Sequence, residues 1–313
     1  MKGLKKIALA TAVAAVPFAA QAELRAIDDA AMGDVTGQSG ITVELSAEVS
    51  VGEIAYQDDG FLAITGVTIG GAAPGTALDD VKVYIDVAGT GGIADTGAQA
   101  MGSQYLTGAA AASGGVVAWS DTNPGRDTMP TVQDGDLVIG LRSVSGMPID
   151  YGVSVGSVSL AKSTSTVGDL ASTAGTTLVS NMNITGLLGP IDIVIQEDTS
   201  VMNINAYFNA QGTLNADFVG TYLDFELHNR RGADTNNLNI GGGAVDTSFA
   251  HAQVDIGLAT NAAGEDALAF NVNNFSGDLD LTNIRMGNAA NPSIGNVYMT
   301  DVAVNAQMTV YGH

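Results

Sequence analysis

An all-β fold, drawn out into one elongated and strongly curved architecture, is the class that this sequence predicts. Three observations carry that prediction. Apolar and polar residues alternate strictly over several stretches, which places one face of a strand in a core and the other in water. A short apolar spacing pattern recurs along the chain. Forty glycines against only seven prolines suit many tight turns between strands.

The first element is not part of the fold. Lys2, Lys5 and Lys6 precede an apolar run from Ile7 to Phe18, and Ala20-Gln21-Ala22 follows. That is the order of a secretory signal peptide, and the run is short for a membrane span. Residues 1–22 are therefore expected to direct export, and residues 23–313 to form a single β-rich domain. No later stretch reaches the length of a transmembrane helix.

Next comes Asp28 to Gly37. Asp28 suits an N-cap and Asp29 the first turn, where negative charge meets the positive helix end. Leu24, Ile27 and Met32 give a weak apolar stripe, and Gly33 or Gly37 can close the turn. A short helix is expected here, laid as a cap over the open end of the sheet, since an uncovered edge pairs with other chains.

From Ile41 the alternation is regular. Ile41, Val43, Leu45, Ala47, Val49 and Val51 are apolar, while Thr42, Glu44, Ser46, Glu48 and Ser50 are polar. "GFLAITGVTIG" at Gly60 to Gly70 then introduces the recurring pattern. It returns as "GDLDLTNIRMG" at Gly277 to Gly287, as "GNVYMTDVAVN" at Gly295 to Asn305, and in shortened form as "NMNITGLLG" at Asn181 to Gly189. Apolar positions step by two, then three, then two. The extra residue after the threonine predicts a bulge or corner that re-aims the second half of the strand.

Residues 88–135 break the alternation. They are rich in Gly and Ala, with "GAAAASGG" at Gly108 to Gly115, and are expected to be an inserted loop region. Alternation resumes at Ile191, Ile193 and Ile195 and again over Tyr222 to Leu227. Two arrangements satisfy these elements. One is a β-solenoid in which the repeats stack as parallel rungs. The other is a bent antiparallel sheet in which they are hairpin strands.

Both ends of the exported chain carry a resemblance. "ELRAIDDAAMGDVTGQSGITVEL" at the start and "SIGNVYMTDVAVNAQMTVYGH" at the close resemble a family of uncharacterised exported bacterial β-rich proteins, some labelled pilus-system protein FilA. The resemblance covers about the first 50 exported residues and about the last 40. It implies a surface or envelope role, and the family offers no catalytic residues to carry over.

Composition narrows the chemistry. The chain has no cysteine and a net charge of −22. Without the three lysines of the leader, eight basic residues face 33 acids, so nucleic acid and anionic lipid are repelled. "GVSVG" at Gly152 to Gly156 matches the nucleophile-elbow motif, but Ser154 sits in an alternating strand with no helix to follow. His228, His251 and His313 have no ligand spacing. Trp119 and the tyrosines form no stripe and read as packing residues. In "DTNPGRD", Asp121, Asn123 and Asp127 offer hard oxygens on a turn and form a candidate calcium site. Gly125 at the fifth position and Val132 at the twelfth depart from an EF-hand loop. "GGGAVD" at Gly241 to Asp246 faintly resembles a calcium-binding β-roll repeat but occurs once.

These features lead to an expectation of a non-enzymatic exported protein of the surface or envelope, structural or adhesive, associated with a pilus-like system. Its expected partners are other envelope proteins or its own copies. A binding protein for lipid or another hydrophobic ligand is the first alternative, and an outer-membrane barrel the second. Apart from calcium, no cofactor is expected.

Overall fold

The computed structural model describes residues 40–91, 132–145, 147–162, 175–232, 237–240 and 243–311. The expected capping helix at Asp28 to Gly37 lies outside the described residues, as does most of the Gly/Ala-rich insertion.

Strands β1 (Ile41–Ala47), β2 (Val49–Gln57), β3 (Gly60–Gly70) and β4 (Leu78–Val87) open the sheet. After the insertion come β5 (Leu137–Ser143), β6 (Ile149–Lys162), β7 (Thr176–Ile195), β8 (Met202–Phe208) and β9 (Ala210–Ala216). A 3-10 turn, Asp217–Val219, leads to β10 (Thr221–His228). The small hairpin of β11 (Asn237–Ile240) and β12 (Gly243–Ser248) stands apart, and β13 (Ala250–Thr260), β14 (Asp266–Met286) and β15 (Gly295–Val310) complete the chain.

Thirteen strands form one sheet, and its pairings are antiparallel. Of the two arrangements open to the sequence, the antiparallel sheet is the one adopted. The last two copies of the recurring segment are neighbours in β14 and β15, but they meet inverted. Leu279 faces Met299 and Leu281 faces Val297, where solenoid rungs would stack like residue on like.

The sheet divides because three strands are long. β7 pairs β5 and β8 through its second half, and β6 and β9 through its first. β14 likewise pairs β13 through its first half and β10 through its second. Since β8 pairs β13 and β9 pairs β10, the strands β7, β8, β13, β14, β10 and β9 close into a ring. One layer, β1-β4-β5-β7-β8-β13-β14-β15, runs along one side. The other, β2-β3-β6-β7-β9-β10-β14-β15, runs along the opposite side.

The two-three-two spacing has a backbone cause. The residue after the threonine is Gly66, Asn283 or Asp301, and each has positive φ, 62°, 53° and 52° respectively. Glycine, asparagine and aspartate are the residues that reach this region at lowest cost. Register places these irregularities in line. Gly52, Gly66 and Gly156 lie opposite one another, and Asn181, also at positive φ, continues the row. Leu214, Leu223 and the bulge at Asn283 carry it on to β14. A left-handed residue consumes one position of the strand, so apolar residues spaced two-three-two return to a single face. Thr65 and Thr68, three apart, bond across to Ser157 and Ser154 at 2.8 and 2.6 Å, and these polar pairs share the other face.

At the insertion, the stem is tied. Ala88 N–H donates to Asp136 O and Gly135 N–H to Ala88 O, both at 2.8 Å. Ala88, Val132, Val138 and Val194 form a buried cluster beneath it.

Candidate functional site

Alternation along the strands gives one face that is apolar and one that holds most of the buried polar groups, with apolar residues such as Val138 and Val194 among them, and the second is the enclosed one. On β8, Asn203, Asn205 and Tyr207 are buried, and on β13 so are His251 and Gln253. The register sets Tyr207 against His251 and Asn205 against Gln253. The Tyr207 and His251 rings stack with centroids 4.3 Å apart, and His251 Nε2 lies 2.5 Å from Asn205 Oδ1. Asn273 Nδ2 donates to Asp255 Oδ2 at 2.6 Å. Between β5 and β7, Arg142 Nη2 meets Asp192 Oδ1 at 2.8 Å, with side chains only 2% and 0% exposed. The same guanidinium donates to the Leu141 and Ile191 carbonyls. Burying charge is tolerated only with this degree of pairing.

The opposite face is apolar across the first layer. Register aligns Val43, Val83, Leu141, Ile191, Ala206 and Ala252 in one row, and Ile85, Ile139, Ile193, Ile204, Val254 and Val272 in the next. These residues are more open than the polar ones behind them, and at the margins of the same face apolar side chains are exposed, Val43 at 41% and Leu258 at 85%. The second layer continues the pattern, with Val49, Ile54, Ile69 and Leu160 exposed. A water-facing sheet puts its polar side out. Here the enclosed ring takes the polar side, leaving an apolar face that is half-buried at its centre and exposed at its margins.

Where β10 ends beside β14, the polar face gathers ionisable groups. Glu226, His228 and Asp280 bring one ligand atom each within 4.8 Å of one another. His228 sits between two carboxylates, its Nδ1 3.3 Å from Asp278 Oδ2 and its Nε2 3.2 Å from Asp280 Oδ2. Arg230 forks onto both oxygens of Glu226 at 2.5 and 3.0 Å, and Arg231 onto both of Asp280 at 3.1 and 2.6 Å. The donors that a cation would want are already bound by two guanidiniums. The group therefore reads as a charge-compensated clasp. Arg231 extends it to β15, donating to Thr300 Oγ1 and Met299 O.

The clasp shifts its acids. The Arg230 hydrogen bond holds Glu226 below its ordinary value of 4.5. Burial pushes Asp280 up, but hydrogen bonds from Arg231 and His228 outweigh it and leave it below 3.8. A lowered folded pKa contributes stability that is full above the unfolded value and lost as pH falls through the folded one. Stability is thus expected to decline below about pH 4, more steeply in the wild type than in Asp280→Asn. Chemical denaturation at a series of pH values checks this, and equal slopes would sink it.

Of the residues singled out in the sequence, Asp121, Asn123, Asp127, Trp119 and His313 lie outside the described residues. Gly241 is also outside them; Asp246 falls on β12. Ser154 is in the middle of β6, bonded to Thr68. His228 and His251 belong to separate polar groups. Sequence reading missed the clasp because its members come from β10, the turn after it and β14. The available signal was "GDLDL", where Asp278 and Asp280 fall on one face of a strand, and the adjacent pair Arg230-Arg231.

A model of a family of unknown function (DUF6160) matches residues 1–89, which reach to the end of β4. No curated protein and no solved structure matches the chain.

Proposed function

We propose that this chain is an exported, non-enzymatic protein of the cell envelope, structural or adhesive in kind, that works through the surfaces of its sheet. The observation that carries the reading is the reversal of polarity, with a polar enclosed face and a wide apolar outer one. Such a surface is a place for contact. The basic start, apolar run and Ala-Gln-Ala ending of residues 1–22 support export, and the resemblance to proteins labelled pilus-system protein FilA supports a place in a surface assembly.

Two neighbouring readings use the same face. The curved apolar surface suits a bound lipid or similar ligand. An apolar exterior around a polar interior also suits an outer-membrane barrel. Against spanning, β1, β2 and β15 each have a partner on one side only among the described residues, and open edges carry a high cost in hydrocarbon. β1, β5 and β8 are seven residues long, short of the roughly 9–11 that cross a bilayer.

Fractionation of the native host expressing a tagged chain tests the proposal. Recovery in the sheared surface fraction or the medium is expected. Retention in the cytoplasm would overturn it. Recovery only in a detergent-resistant outer-membrane pellet would replace it with the barrel. Soluble periplasmic protein that yields lipid on extraction without detergent would replace it with the ligand-binding reading.

A further inference from the structure

Among the described residues the first layer ends in two strands paired on one side only, and they are alike. Among the described residues β1 pairs only with β4 and β15 only with β14. The chain continues from β1 through Glu48 into β2, so residues 41–57 edge both layers. β15 does the same, edging the second layer with its first half and the first layer with its second. Each end is therefore one long strand of similar length, irregular near its middle at Glu48 and Asp301.

We infer that these two ends are halves of one interface, through which copies of this chain add head to tail: residues 303–310 of one copy pair with β1 of the next. The inference rests on the sheet's surfaces being the working part of the protein, and it names a second copy as their partner. Strand direction permits it. Neighbours alternate along the whole layer, so β1 and β15 run oppositely, and a copy moved along the sheet meets its neighbour antiparallel. The apolar row continues across the joint, from Ala306, Met308 and Val310 to Ile41, Val43 and Leu45.

Charge points to the same pair of edges. Protein edges are normally guarded by lysine, proline or inward charge. In a chain of net charge −22, residues 302–310 hold no charged residue and no proline, and β1 holds one acid, Glu44, already 3.5 Å from Lys82. Because the two edges differ, the contact is heterologous. It propagates as a chain of subunits unless the rotation between copies closes a ring.

The chain lacks cysteine, which makes a clean test. Val43 and Met308 are the centres of the two apolar rows, 41% and 56% exposed. Val43→Cys and Met308→Cys are made singly and together in the full chain, purified as its host processes it, and treated with a short bifunctional maleimide. A mixture of the single variants is expected to give a bridged dimer, and the double variant a ladder, while each single variant alone gives neither. Sedimentation of the wild type is expected to show a concentration-dependent series that Met308→Lys abolishes. Self-linking of each single variant would mean two-fold pairing and overturn the inference. So would the absence of any bridge in folded protein with reactive thiols, as when lipid, another protein or the chain's own leading residues cover the edges. Both readouts use purified protein, so they stand or fall separately from the fractionation.

Discussion

Replacing Arg142 with methionine is expected to lower the unfolding free energy by about 3–5 kcal/mol, the usual cost of leaving a buried charge without its partner. Asp192 is fully buried, and the 2.8 Å bond to Arg142 Nη2 joins β5 to β7 from within the polar face. Methionine has nearly the length of the arginine stem, so packing is largely kept and the loss is electrostatic. The guanidinium's bonds to the Leu141 and Ile191 carbonyls disappear as well. Urea denaturation of the single variant and of Arg142→Met with Asp192→Leu separates the two contributions. Removing both charges should recover much of the loss, because a buried pair contributes little net stability over apolar residues of similar size. A single variant within about 1 kcal/mol of wild type, the range of an exposed pair, would show that water reaches this pair.

How much of this was written legibly in the sequence depends on the range of the interaction. Strand positions were legible because alternation is local. Ile41 to Val51 and Ile191 to Ile195 fall in β1, β2 and β7. The corner was legible for the same reason, since one extra residue in a spacing of two demands a local backbone change, and Gly66, Asn283 and Asp301 supply it. Which face of each strand would be enclosed was not legible. Alternation gives two faces and does not say which lies inside a ring, and the usual assumption of an apolar interior fails at Asn203, Asn205, His251 and Gln253. Ring closure depends on β7 and β14 changing partners halfway, at contacts far apart in sequence. The clasp was hidden for the same reason: His228 and Asp280 are 52 residues apart and become neighbours only through the pairing of β10 with β14.

The second large effect is expected at Asp278, whose carboxylate holds the clasp and the last strand together. It is fully buried. Its Oδ2 accepts the Arg231 N–H at 2.7 Å and lies 3.3 Å from His228 Nδ1, and its Oδ1 accepts the Asp301 N–H at 3.1 Å. Asp301 is the left-handed residue that turns β15, so this one side chain anchors both the turn after β10 and the corner of the edge strand. Asp278→Ala removes the acceptor from two part-buried backbone donors, which water can then reach, at roughly 0.5–1.5 kcal/mol for each hydrogen bond lost. A total loss of about 1–3 kcal/mol is expected from those two terms. Asp278→Asn keeps one carbonyl oxygen and should cost less than alanine. Hydrogen exchange locates the damage. Amides of residues 299–304 and 229–232 should lose protection first, while β4, β5 and β8 keep theirs, because their pairing does not pass through this carboxylate. Uniform loss across all strands would mean that Asp278 supports the sheet as a whole, and unchanged exchange at Asp301 would mean that the corner of β15 holds without it.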